Sequence, residues 1–141
     1  MSKPQKVEYQ QIEAGHDFPL VSYHLDALIA ASYLKAVGET SSLYQNNKLI
    51  PPTAVAARAM AALSDSISLP PGTIHVSQEL EFTGTVNVGD TITCHAKVAR
   101  KQDRGRLHLM TIDLNVFNQN QKKVLSGKTS FVLPEPDNRR L

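Results

Sequence analysis

The stretch IPPTAVAARAMAAL, residues 50–63, decides the fold that this sequence predicts. Pro51 and Pro52 have fixed φ angles that suit the start of a helix, where their missing N–H groups cost little. Alanines dominate the positions that follow, and Arg58 is the only charged residue in the stretch. A helix so poor in polar and bulky side chains is typical of a site where other backbone approaches it on several sides. The stretch therefore predicts a buried central helix.

Four strand-like segments follow this helix, and nothing helical lies between them. Turn residues at 88–90, 103–105 and 118–121 separate the segments. Long strands joined by short hairpins and facing one helix predict an α+β fold with an antiparallel sheet wrapped around the helix. The side chains expected on one face of each strand are Ile74, Val76, Leu80, Phe82 and Val86; Ile92, Cys94, Ala96 and Val98; His108, Met110, Ile112, Leu114 and Val116; and Leu125, Gly127, Thr129, Phe131 and Leu133.

A shorter strand and a second helix are predicted before the central helix. Residues 18–24 alternate loosely, and Asp26 lies where a carboxylate favours a helix start. Apolar residues then recur at three- and four-residue spacing up to Gly38, which is suited to end the helix. We expect a polar N-terminal arm over residues 1–15, a single domain over 16–133 and a flexible tail over 134–141, since prolines cannot continue a strand.

The composition narrows the class of function. A chain of 141 residues with a net charge of +2 and scattered basic residues does not predict a nucleic-acid partner. No apolar run approaches the roughly 20 residues of a membrane span, and the N-terminus lacks an apolar signal core, so we expect a cytoplasmic protein. Cys94 is the only cysteine, which excludes an intramolecular disulfide. No metal site or cofactor is predicted, because potential metal ligands do not cluster in the sequence.

Several segments, taken in order, resemble the MaoC-like acyl dehydratases of the hotdog superfamily, which include the (R)-specific enoyl-CoA hydratases. GHDFP at 15–19 resembles their opening strand, and YLKAVGETSSLY at 33–44 resembles their AxAxGDxNPxH region. PPT at 51–53 resembles the helix start of the N-terminal dehydratase-domain subgroup, and VNVGDTI at 86–92 a turn into a long strand. The resemblance covers about residues 15–133. It implies the hotdog fold and the binding of an acyl thioester of coenzyme A or of a carrier protein.

The resemblance also locates a candidate catalytic pair. Active members hydrate a trans-2-enoyl thioester with an aspartate and a histidine five positions later, which handle the attacking water and the Cα proton. Here those positions hold Glu39 and Tyr44. A tyrosine with a pKa near 10 is a poor base at neutral pH, and the longer glutamate misplaces its carboxylate. Either the pair is altered but catalytic, or Glu39 is a solvated loop carboxylate and Tyr44 packs at the helix mouth.

Candidate substrate-binding residues lie at the central helix and at one hairpin. In the family, an N–H at the helix start polarises the thioester carbonyl. Pro52 has no N–H, but Thr53 and Ala54 keep theirs. Arg58 must emerge at a gap in the sheet or pair with a carboxylate, so we expect it at the mouth of the groove. Arg104 and Arg106, with Arg100 and Lys101, form either a solvated hairpin tip or a contact for ligand phosphates.

Three functions remain open from the sequence. The favoured one is a non-catalytic or weakly active subunit that shapes an acyl groove and associates with a catalytic hotdog partner. The alternatives are an active (R)-specific enoyl-CoA hydratase that uses Glu39 and Tyr44, and a hotdog thioesterase whose carboxylate would be Glu79 or Glu81. Because hotdog monomers expose long strand edges, we expect a homodimer or heterodimer joined edge to edge, with the groove at the interface.

Overall fold

The computed structural model describes residues 6–41, 44 and 48–135. The described segments begin with β1 (Val7–Glu8), a 3₁₀ turn (Tyr9–Gln11), β2 (Val21–His24) and α1 (Ala27–Val37). They continue with β3 (Leu49–Ile50), α2 (Pro52–Ser66), β4 (Ile67–Ser68), β5 (Ile74–Phe82) and β6 (Val86–Asn87). The long strands β7 (Thr91–Arg104), β8 (Leu107–Phe117) and β9 (Lys123–Pro134) complete the fold.

A five-stranded antiparallel sheet forms the body of the molecule, in the order β2-β7-β8-β9-β5. Helix α2 packs against one face of this sheet, which we call the inner face, and the opposite face is the outer face. The predicted alternation of β7 and β8 is confirmed, because Ile92, Cys94, Ile112 and Leu114 are buried on the inner face. The architecture is the predicted α+β arrangement. No helix in the described segments is long and apolar enough to cross a bilayer.

Helix α1 begins and ends at the predicted residues. The side chain of Asp26 accepts a hydrogen bond of 2.8 Å from the N–H of Ile29, which caps the helix start. Gly38 has a φ of 70° and donates its N–H back to the last turn. Both signals are local, so they act independently of the rest of the fold.

Helix α2 begins at Pro52, with Pro51 as the residue before it, as the sequence predicts. Its sheet-facing side is buried in the core, whereas Ala57, Ala61 and Ser64 on the other side are exposed in the single chain. The sheet therefore covers the helix on one side only. The side chains buried along the helix are those of Val55, Ala56, Ala59, Ala62, Leu63 and Ser66.

The alternation predicted for β5 is wrong at the start of the strand. A register shift between His75 and Ser77 inserts one extra residue, as a β-bulge does. As a result His75 lies opposite Phe131 on the inner face, while Ile74 lies opposite Val132 on the outer face. The imidazole of His75 is 2.5 Å from Thr129 Oγ1, and its ring stacks on Phe131 at 4.9 Å between centroids.

The N-terminal segment corrects the prediction of a polar arm over residues 1–15. Tyr9 and Ile12 are 5% and 0% exposed, and β1 pairs with β4 in parallel. The Lys101 ammonium group donates to the carbonyl oxygens of Tyr9 and Ile12 at 3.2 and 2.6 Å. The apolar side chains of this segment cover one end of the core, so residues 7–12 are part of the domain. Residues 136–141 of the predicted tail lie outside the described residues.

Candidate functional site

An apolar pocket of about 170 Å³ lies where α2 begins, and we call it the mouth pocket. Residues of β3, the start of α2 and the segment before β3 form one wall, and residues at the end of β5, in the turn into β6 and at the start of β9 form the other. It therefore suits an apolar group held next to a helix start. The lining residues are Tyr44, Leu49, Ile50, Pro52, Val55, Phe82, Gly84, Thr85, Val86 and Val124.

The first backbone donors of α2 lie beside this pocket. Amides in the first turn of a helix have no intrahelical acceptor and carry partial positive charge. Pro51 and Pro52 have no N–H, and the N–H of Ala54 donates to the carbonyl of Pro51 at 2.9 Å. Of the two donors predicted from the sequence, the Thr53 amide is thus the first of the helix and the better placed for a ligand oxygen.

A hydrogen bond between side chains joins the two helices at the same place. The Tyr33 hydroxyl on α1 lies 2.6 Å from Thr53 Oγ1 at the start of α2. Tyr33 also lines a second pocket of about 220 Å³ between the helices, which we call the inter-helix pocket. Sequence reasoning missed this bond, since the two residues are 20 positions apart and no local pattern connects them.

We expect Tyr33→Phe to lower the free energy of unfolding by about 1 kcal/mol, because it removes one exposed hydrogen bond without changing the ring. Urea denaturation measures the change. Tyr23→Phe is the matched control, since no described residue forms a hydrogen bond with the Tyr23 hydroxyl, and it should have a smaller effect. A Tyr33→Phe/Thr53→Val double variant whose loss equals the sum of the single losses would show that the hydroxyls do not interact.

Arg58 contacts an aromatic ring instead of a carboxylate. Its guanidinium carbon lies 5.3 Å from the centroid of the Tyr23 ring, within cation–π range. Burial raises the pKa of Tyr23, and the positive charge of Arg58 opposes that shift. Arg58 lines the inter-helix pocket and is not among the described residues that line the mouth pocket, where the sequence placed it.

The two residues at the positions of the family pair have different surroundings. Tyr44 lines the mouth pocket, as expected for a tyrosine packed at the helix mouth. Glu39 follows the last turn of α1 and accepts a hydrogen bond of 2.8 Å from the N–H of Ser41. Glu39 is not among the described residues that line the pocket. The structure therefore places Tyr44 near the start of α2, whereas the carboxylate of Glu39 is hydrogen-bonded within the turn that follows α1.

The hairpin arginines lie at the opposite end of the sheet from the mouth pocket. Arg104 and Arg106 flank Gly105 in the exposed turn between β7 and β8. Strand β8 has 11 residues, which span roughly 35 Å at about 3.3 Å per residue. Within one chain these arginines are too distant to contact a group in the mouth pocket. The nearer cations are Lys48 and Lys123, which precede lining residues and which the sequence reasoning did not single out.

The other residues considered as functional candidates lie in surroundings that do not favour catalysis or metal binding. Cys94 is buried, which raises its pKa to about 11 and keeps the thiol protonated at neutral pH. His95 Nε2 lies 3.0 Å from Asp17 Oδ1 on the outer face. Glu79 and Glu81 are exposed on that same outer face, away from α2. This position does not suit the thioesterase alternative, which needs a carboxylate facing the helix. In the described part of the chain, no three His, Cys, Asp or Glu side chains converge as metal ligands do.

Known structures share this fold along nearly the whole chain. The R-hydratase PhaJ1 from Pseudomonas aeruginosa is 22% identical, with a TM-score of 0.77 over 91% of this chain and 86% of that one. The monoamine oxidase regulatory protein from Archaeoglobus fulgius is 17% identical, with a TM-score of 0.79 over 96% and 99% of the two chains. A chain of the ChsH1-ChsH2 complex from Mycobacterium tuberculosis is 13% identical, with a TM-score of 0.72 over 86% and 98%.

The family assignment comes from the sequence itself. Comparison with curated proteins finds none that matches. Residues 13–126, which contain α1, α2 and the whole mouth pocket, match the model of the FAS1-like dehydratase domain region. Together with the hotdog architecture, this match confirms the family resemblance drawn from the motifs. The chain belongs to the FAS1-like dehydratase domain region family, and it has the hotdog fold of the MaoC-like dehydratase and (R)-hydratase structures.

Proposed function

We propose that this chain is an acyl-thioester-binding hotdog subunit with little or no hydratase activity of its own. The observation that carries the proposal is the mouth pocket, which keeps the apolar walls and the helix start but has Tyr44 where active relatives have a base. A tyrosine hydroxyl is a much weaker base than the imidazole of a histidine. The chain thus retains what binds an acyl group and lacks what hydrates it.

The chemistry of binding follows from the two ends of the pocket. The acyl chain enters the apolar cavity, where its burial contributes about 0.8 kcal/mol for each CH₂ group. The thioester oxygen accepts from the Thr53 amide, which adds an oriented donor at the positive end of α2. A proton-transfer step at Cα and Cβ then needs a base that this chain does not supply in the family's form.

A partner subunit completes the proposed complex. ChsH1-ChsH2 is a complex of two chains, and the present chain shares the fold found in that complex. Strand β5 is an edge of the sheet, and antiparallel pairing there would place each hairpin at the end where the partner's mouth pocket lies. Arg104 and Arg106 would then serve the phosphates of a ligand bound mainly by the partner. In this arrangement the two arginines can bind a ligand although they lie far from the mouth pocket of their own chain.

The active hydratase remains the second candidate, and it would have to use Tyr44, the residue of the pair that lines the mouth pocket. An experiment in which the purified protein is mixed with crotonyl-CoA distinguishes the binding subunit from the active hydratase. We expect calorimetry to detect binding while the enoyl absorbance stays constant, and hydration to appear only when a catalytic hotdog partner is co-expressed. Turnover by the chain alone at an ordinary enzymatic rate of about 1–10³ s⁻¹, abolished by Glu39→Ala, would instead establish the hydratase.

A further inference from the structure

Strand β5 presents an unpaired edge with a marked chemical character. It has nine residues, and among the strands that the structure describes only β9 pairs with it. A row of unpaired N–H and C=O groups of this length is a template for another strand. Ile74, Val76 and Phe82 are 60%, 49% and 42% exposed along it, so the edge also offers apolar surface. Both features favour coverage of β5 by another chain.

Charges on the outer face form an alternating row that ends at this edge. Residues directly opposite one another in antiparallel strands lie on the same face. Asp17 lies opposite Lys97, Lys97 opposite Asp113, Asp113 opposite Lys128, and Lys128 opposite Glu79. Each position alternates in sign, and the Lys128 ammonium group is 3.4 Å from Asp113. The row ends at Glu79, which is negative. A strand that pairs with β5 would therefore continue the alternation if it placed a positive side chain opposite Glu79.

A second carboxylate strengthens the same preference. Glu81 lies two positions further along β5, on the outer face, opposite the neutral Ser126. Both glutamates are exposed. Lys128 is the only cation directly opposite either of them, and it already pairs with Asp113. The outer side of the β5 edge is therefore net negative.

Pairing of β5 with a second copy of itself would bring these carboxylates together. In a symmetric antiparallel pair, the twofold axis passes through one residue. An axis at Glu79 puts Glu79 opposite its own copy, and an axis at Leu80 puts Glu79 opposite Glu81. An axis at Gln78 leaves the two copies of Glu79 as diagonal neighbours. Like charges directly opposite each other destabilise a sheet, so self-pairing centred on Glu79 or Leu80 has a penalty, and the register centred on Gln78 keeps the two Glu79 carboxylates close.

We propose that the β5 edge selects a different hotdog chain, whose own edge strand carries lysine or arginine on its outer face opposite Glu79 and Glu81. The proposal rests on the partner role proposed above but not on thioester binding. Pairing with such a strand continues the alternating row across the joint and covers the exposed apolar side chains. Self-pairing is disfavoured by the same charges, which makes the subunit selective for a heteromeric complex.

The test uses this chain as a model of its own partner. A Glu79→Lys/Glu81→Lys variant with a different mass tag is mixed with the wild type, and native mass spectrometry and sedimentation measure all three dimers. We expect the mixed dimer to be at least about tenfold tighter than the wild-type homodimer at low salt. At about 1 M salt, where the screening length is about 3 Å, the mixed dimer should weaken and the wild-type homodimer should strengthen.

A neutral variant is also needed, because lysine at position 79 would lie opposite Lys128 and this pair of like charges could destabilise the fold of the lysine variant. Glu79→Gln/Glu81→Gln should self-associate about tenfold more tightly than the wild type, while the control Glu13→Gln/Glu135→Gln should not. The proposal fails if neither the mixture nor the glutamine variant associates more tightly than the wild type. Loss of crotonyl-CoA binding with this charge dependence intact would contradict only the thioester function.

Discussion

We expect Gly127→Ala to lower the free energy of unfolding by about 3 kcal/mol, through overpacking between β9 and β5. A Cβ atom at Gly127 would lie 2.2 Å from the carbonyl oxygen of Glu79 and 2.7 Å from Leu80 Cδ2. The carbonyl belongs to backbone, so relief requires β5 to move away from β9. Urea denaturation monitored by circular dichroism gives the change in unfolding free energy.

Gly84→Ala is the matched control for this substitution. Its Cβ would meet Val124 Cγ1 at 3.3 Å, which a small side-chain adjustment relieves, and its φ is not in the left-handed region. We expect a change below about 1 kcal/mol. Equal losses for the two variants would contradict the close approach of β5 and β9, and with it the position of the edge strand that the proposed partner would cover.

The second large effect is a gain of catalysis. We expect Glu39→Asp/Tyr44→His to raise the rate of crotonyl-CoA hydration by about a hundredfold over the wild type. The change restores an imidazole with a pKa near 6.5 and shortens the carboxylate side chain by one methylene, and misplacement on that scale costs about a hundredfold. The measurement is the loss of the enoyl absorbance under saturating substrate.

Two controls make this gain interpretable. Tyr44→His combined with Glu39→Ala has the imidazole without the carboxylate and should remain near the wild-type rate. The wild type and the double variant should bind crotonyl-CoA with similar affinity, since the apolar walls of the mouth pocket are unchanged. A folded double variant that binds the thioester without hydrating it would show that positions 39 and 44 do not flank the reacting carbons.

The parts of the fold that sequence patterns predicted are those with short-range causes. Asp26 and Gly38 bound α1 because a carboxylate satisfies free amides within one turn and glycine tolerates a positive φ. The double proline starts α2 for an equally local reason. The apolar alternation of β7 and β8 needs only a sheet with one buried face, which two facing layers supply.

The missed features depend on contacts between distant segments. The bulge in β5 is a mismatch with β9 and leaves no mark in an alternating sequence, so Ile74 was assigned to the wrong face. Tyr9 and Ile12 lie in a stretch that is mostly polar, and only the open end of the core explains their burial. Arg58 needed a partner, but the sequence did not show that this partner would be the ring of Tyr23.

The sequence by itself determined the fold class and the two helices, and it predicted that Glu39 and Tyr44 lie at the positions of the family's catalytic pair, because these depend on residue type and local spacing. Only the tertiary structure decided which side chains share a pocket and which edge carries the charge. It placed Tyr44 beside the start of α2, Arg104 and Arg106 at the far end of the sheet, and Glu79 at the end of an alternating row. Strand register and packing set these neighbours, and they arise between residues far apart in the chain.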